Sequence, residues 1–268
     1  MAISSESHSP FLGSNLEIKD SQIYENGVGL WLEGRTKVQL NNCLISSNEY
    51  GLIANAEVTV IHSEFSKNSW YGLWFSGETN SMIKNSIIRD NGFGGIIIRD
   101  TAEVKVITST ISKNGVVGIE ILDSAHVNMR DCIVTGNNLY GIWIRGSGQL
   151  AATNSEISEN STGVALWELA QAEIKGCTIF QNQVTGIWSC NYAKAFLTNC
   201  EISHNLDGIV LWGKSTCTLI GNSILENKRY AIALGQTPCF DNTQLFKGSV
   251  EGEKNIIPVS YTHLTLPT

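Results

Sequence analysis

The chain has 268 residues, 42% of them hydrophobic and 16% charged, with a net charge of −7 at neutral pH. It is too apolar to be disordered, and no apolar run approaches the ~18 residues of a membrane span. The acidity and the lack of a basic cluster argue against nucleic acid and anionic membrane surfaces as partners, and seven cysteines without a CxxC pair form neither a zinc framework nor a small disulfide scaffold.

Residues 1–10 show no charged segment followed by an apolar one, so no signal peptide is legible there. Beyond them an asparagine recurs at Asn26, Asn48, Asn68, Asn91, Asn114, Asn137, Asn160, Asn182, Asn205 and Asn227, with spacings of 20–23 residues. Three or four residues later stands a glycine (Gly29, Gly51, Gly72, Gly95, Gly118, Gly141, Gly163, Gly186, Gly208), replaced in the tenth unit by Ala231. The residue after it is always aliphatic, from Leu30 to Ile232. Three residues before the asparagine the position is apolar in every unit, as in Ile88, Ile111 and Val134.

Such alternation in short runs means strands with one buried face. A unit of about 22 residues holds two or three strands and turns, with no room for a helical crossover. It cannot bury its apolar face alone, but stacking units ~4.8 Å apart turns each position into a column and closes a core. The pattern predicts an all-β, single-stranded, right-handed parallel β-helix of about ten coils over residues 1–235. In that frame the asparagines form a ladder. Each amide donates to the next, and each asparagine supplies a left-handed turn residue.

Five residues before the asparagine lies a column of small residues that includes Cys43, Cys132, Cys177 and Cys200. These cysteines are expected to be buried and inert. Stacking of Cys177 on Cys200 need not meet disulfide geometry. After Gly235 the register breaks, so residues 236–258 are expected to cap or continue the solenoid. Residues 259–268, VSYTHLTLPT, match the forward translation of a transposon sequencing adaptor. They are set aside as an assembly scar, which implies a natural protein running past Pro258.

Units such as GIEILDSAHVNMRDCIVTGNNLY (118–140) resemble the parallel β-helix repeats of the pectate-lyase-like superfamily. They are most similar to the right-handed β-helix region of bacterial surface and periplasmic proteins, and to carbohydrate-binding and sugar-hydrolysis repeats. The resemblance implies a polysaccharide or protein surface as partner and an extracellular, cell-surface or periplasmic location. It is specific for fold and weak for activity.

The position two after each glycine should face outward, as should the position four after it. Those positions carry Trp31, Trp74, Trp143, Trp167, Trp188 and Trp212, six of the seven tryptophans. A large apolar outer stripe marks a binding surface or a covered region. Rings two coils apart, roughly 9.6 Å, suit stacking on sugar rings, while tryptophan is equally enriched at protein contacts. A further segment of the chain could also lie over the stripe.

On the same face Arg99, Asp100, Glu120, Asp123 and Arg145 fall on three successive coils. Asp100 and Asp123, roughly 5 Å apart, have the separation of a retaining carboxylate pair and equally that of a salt-bridged patch. The lyases that the resemblance brings in use calcium held by carboxylates, so calcium is expected only if this chain is a lyase. No histidines pair at metal-ligand spacing. Coils of near-constant length leave no long loops to wall a cleft. The sequence therefore favours a non-catalytic binding or scaffold protein presenting its tryptophan face to a polysaccharide. The alternatives are a polysaccharide lyase or glycoside hydrolase, and a protein-binding or adhesin scaffold.

Overall fold

Each coil turns three corners, so its strands lie on three faces of a triangular prism. The computed structural model describes residues 15–235 and 247–257. In a central coil the first face holds Val117–Ile121, the second His126–Arg130 and the third Ile133–Thr135. Each pairs in parallel with its counterparts one coil before and after, as in Ile96↔Ile119↔Ile142, Val104↔Val127↔Leu150 and Ile111↔Val134↔Ile157. The protein is a right-handed parallel β-helix of about ten coils, all β. Among the described residues no helix is long and apolar enough to cross a membrane. Beyond Gly235, Ser249–Glu253 pairs in parallel with Thr216–Ile220, and Asn255 accepts hydrogen bonds from Asn222. The set-aside residues 259–268 lie outside the described residues.

The core follows the expected alternation. The residues one and three after the glycine, such as Ile96 and Ile98 or Ile119 and Ile121, are fully buried and meet residues such as Val106, Met129 and Val134 from the other faces. The glycine itself is demanded by close approach. A Cβ on Gly118 would stand 2.6 Å from the Gly141 carbonyl oxygen and 2.8 Å from Asn137 Nδ2.

The asparagine column runs at the corner between the third and first faces. Each Nδ2 donates to the Oδ1 of the next coil's asparagine, at 2.9–3.2 Å over all nine steps from Asn26 to Asn227. The same Oδ1 accepts the backbone N–H of the asparagine before it, for example Asn114 N–H to Asn137 Oδ1 at 3.1 Å. The expected left-handed geometry falls one residue earlier than the sequence suggested. Lys113, Gly136 and Glu159, each just before a ladder asparagine, carry φ of 54–65°. An asparagine in the buried corner is needed for its amide. The strained residue outside the corner can be almost any polar type.

A second, shorter-reaching ladder occupies the corner between the second and third faces. Ser86, Ser109 and Ser155 each accept the backbone N–H of the residue one coil earlier, and Cys177 Sγ accepts that of Ser155 at 3.4 Å. Cys132 Sγ donates to the carbonyls of Val106 and Arg130. Cys177 and Cys200 keep free thiols, and burial pushes the Cys177 thiol up to about 11.

Candidate functional site

Two outward columns on the first face carry the bulky residues. One lies just before the glycine and reads, in register, Val28, Tyr50, Tyr71, Gly94, Val117, Tyr140, Thr162, Thr185, Asp207, Tyr230. The other, two after the glycine, reads Trp31, Ile53, Trp74, Ile97, Glu120, Trp143, Ala165, Trp188, Val210, Ala233. The second column was expected to meet solvent. Instead Ile97, Ala165, Val210 and Glu120 are buried, because the first column and its neighbours fold over it as an outer apolar layer. Sequence alternation tells inward from outward but cannot say that outward side chains will bury one another.

That layer has two aromatic clusters. The first holds Tyr50, Trp70, Tyr71, Trp74 and Phe93, with Tyr50 and Trp70 stacked at 6.4 Å and 8°. Trp70, the tryptophan left outside the predicted stripe, thus belongs to this face, and it is 46% exposed. The second cluster is a chain of indoles, Trp143–Trp167–Trp188–Trp212, packed edge to face at 5.0, 5.6 and 5.2 Å. Tyr140 stacks on Trp143 at 4.9 Å. The row of flat, separate rings two coils apart does not form, because Trp167 and Trp212 interleave with the rings of the neighbouring coils. Trp31 stands apart at the first end, 46% exposed.

Between the clusters lies a polar joint. Tyr71 donates its hydroxyl to Glu120 Oε2, and Arg145 Nη2 donates to Glu120 Oε1 at 2.7 Å. The Arg145 guanidinium also sits 4.0 Å from the centre of the Trp143 ring. Glu120 is 2% exposed, its carboxylate held beneath the aromatic layer by these two donors. Burial, then the neighbouring Glu120 carboxylate, raises the Tyr71 phenol well above its ordinary range.

Asp100 and Asp123 occupy the same turn position in adjacent coils, as the spacing predicts. Asp123 Oδ2 accepts the backbone N–H of Asp100 at 3.1 Å, and Asp100 Oδ2 accepts that of Gly77 at 3.0 Å. Arg99 Nε lies 3.4 Å from Asp100 Oδ1 and 3.8 Å from Asp123 Oδ2. These carboxylates cap left-handed turns, with φ of 61° and 57°. A donor set already bonded to backbone N–H groups and a guanidinium does not fit a calcium cage. Among the described residues no three histidine, cysteine or acidic side chains come together as a metal site.

The concave part of the face lies further along. Where the first column shrinks to Thr162 and Thr185, between Tyr140 and Tyr230, a groove of about 400 Å³ opens. Trp188 and Trp212 form one wall, and Asp207, Arg229 and Tyr230 close the end. Asp207 is 2% exposed, with both carboxylate oxygens bonded by Arg229, Nε to Oδ1 at 2.8 Å and Nη2 to Oδ2. Arg229 also lies over the Tyr230 ring. This cleft owes nothing to loops. It is cut by side-chain size along a column, a signal present in the sequence but hidden from a search for insertions. A larger depression of about 520 Å³, at the corner between the second and third faces, includes Asp20, Asn42, His62 and Asn85 and has no phenyl or indole ring.

The chain matches the description "Right handed beta helix region" over residues 10–151 and 140–252. It belongs to the right-handed β-helix family. Among curated proteins no sequence matches it. Among solved structures, this β-helix protein is similar to a variant of the periplasmic alginate epimerase AlgG, at TM-score 0.69 and 16% identity over 85% of this chain and 61% of that one. It is similar to the catalytic unit of the GH87 α-1,3-glucanase of Streptomyces thermodiastaticus, at TM-score 0.58 and 13% identity over 92% and 65%. It is also similar to pectate lyase Pel9A, at TM-score 0.55 and 12% identity over 97% and 71%. The chain thus spans about three fifths of the epimerase. Identities this low establish a shared fold.

Proposed function

We propose that this β-helix protein binds a polysaccharide, without cleaving it, in the first-face groove between Tyr140 and Tyr230. One observation carries the reading. The groove is lined by Trp188 and Trp212 together with Thr162, Thr185 and the Asp207–Arg229 pair. Apolar rings next to a few convergent polar groups are what a sugar needs, since each pyranose has an apolar face and a rim of hydroxyls. Four coil spacings separate Tyr140 from Tyr230, about 19 Å, which is room for a few sugar units. The fold's likeness to an alginate epimerase, a pectate lyase and an α-1,3-glucanase supports the same partner class.

The non-catalytic reading rests on the acids. Both oxygens of Glu120 and of Asp207 are bonded within the protein, and the Asp100 and Asp123 carboxylates cap turns. These bonds support a structural role for the four acids over proton exchange or attack on a sugar. The test is to incubate the protein with soluble polysaccharides, following migration in affinity gels and the release of new reducing or unsaturated sugar ends. Retarded migration with no new ends is expected. Release of ends, abolished by substituting one of these acids, would replace the binding reading by an enzymatic one.

A further inference from the structure

Resting on the binding reading, we infer that the groove selects neutral glycans against polyuronates. The argument is one of charge. Among the described residues the groove lining carries one acid and one cation, Asp207 and Arg229, and they are bonded to each other through two N–H donors. A carboxylate entering the groove would lose hydration and meet a site whose net charge is zero. The buried Asp207, fixed beneath the guanidinium, would oppose it.

The rest of the first face repeats the arrangement. A polyuronate laid along the solenoid needs cations to match its periodic charges. The arginines it would meet are Arg145 and Arg99, and each already lies against an acid of this chain: Arg145 against Glu120, Arg99 against Asp100 and Asp123. Lys214 lies past Trp212, with its ammonium 3.3 Å from the Tyr192 hydroxyl, and does not line the groove. A neutral sugar has no such demand. The guanidinium's remaining N–H donors match sugar hydroxyls, and the Trp188 and Trp212 rings match the apolar faces.

Asp207→Asn tests this by removing the compensating charge in nearly the same shape. Affinity gels containing mixed-linkage β-glucan, α-1,3-glucan, galactomannan, polygalacturonate or alginate are run for the parent and the variant, after a thermal melt confirms that both are folded. The parent should be retarded by a neutral glycan at least about tenfold more strongly than by either polyuronate, with little salt dependence. In Asp207→Asn the uncompensated Arg229 should raise polyuronate binding by about tenfold, and added salt should erase the gain. A parent retarded by polyuronates alone overturns this inference and leaves the binding reading standing. A folded Asp207→Asn with unchanged selectivity also overturns it. A parent retarded by neither class overturns both. Should Asp207→Asn not fold, the selectivity and salt dependence of the parent decide.

Discussion

Tyr71 reaches across an intervening coil to bond Glu120, two coils further along the solenoid. It can do so because the residue between them in its column is Gly94. A Cβ there would meet Tyr71 Cε1 at 2.5 Å and Val117 Cγ1 at 3.0 Å. With Arg145 on the other Glu120 oxygen, one buried carboxylate ties together three coils across a span of four. The outer layer of this face is therefore a second packed structure laid over the sheet, with its own polar joint.

Removing a partner from that joint exposes its weight. Tyr71→Phe leaves Glu120 one donor short and should cost about 1.5–3 kcal/mol in urea unfolding. Arg145→Met leaves a buried carboxylate without its counter-charge and should cost more, about 3–5 kcal/mol. Gly94→Ala should destabilise by about 1–3 kcal/mol through displacement of the Tyr71 ring. Equal and negligible losses in all three would show that Glu120 is hydrated in solution.

The ladder should be uneven along its length. Asn137→Ala strips two hydrogen bonds from Asn114 and leaves the Ile111 carbonyl and Asn160 Oδ1 each short of a donor. A loss of about 2–4 kcal/mol is expected. Asn26→Ala, at the half-exposed first coil, should cost less than half of that by the same equilibrium measurement.

Core and face should separate under mutation. Ile119→Asp puts a charge in a fully buried column and should unfold the central coils, read by circular dichroism and hydrogen exchange. Trp143→Ala should leave the fold intact but lose about 1–2 kcal/mol, because the ring is half-buried against Tyr140 and Trp167. A Trp143→Ala protein as stable as the parent would mean that the indole chain contributes nothing to folding.

The fold was legible because ten units repeat the same constraints: a glycine, or once Ala231, where backbones meet, an amide in a buried corner, and aliphatic residues at alternating positions. The groove was only partly legible. The tryptophan columns put Trp188 and Trp212 on the face where the groove lies. Their edge-to-face packing with Trp167, and the cover that Tyr71, Val117 and Tyr140 lay over Ile97 and Glu120, come from residues that alternation places outside without saying what they touch. The Asp207–Arg229 pair has no local motif. It arises because 22 residues make one coil.

Alkaline pH should weaken the fold in two stages. Burial holds the Cys177 thiol up at about 11 and the Cys217 thiol up at about 12. In the unfolded chain thiols ionise near their ordinary value of about 8.5, so the folded state binds more protons above that pH. The stability these thiols contribute is complete below about pH 8.5 and is lost as pH rises toward their folded values. Tyr71, also raised, should add a further loss above about pH 10. Urea midpoints should fall between about pH 8.5 and 10, less steeply in Cys217→Ala, and the later phase should be weaker in Tyr71→Phe.

The measurement that bears most directly on the groove is a glycan array probed with this protein beside its Trp188→Ala, Trp212→Ala variant, both shown by circular dichroism to be folded. The account predicts that the parent binds a defined set of glycans and that the variant loses them all. Binding that survives loss of both indoles, or a parent that binds no glycan, would contradict it.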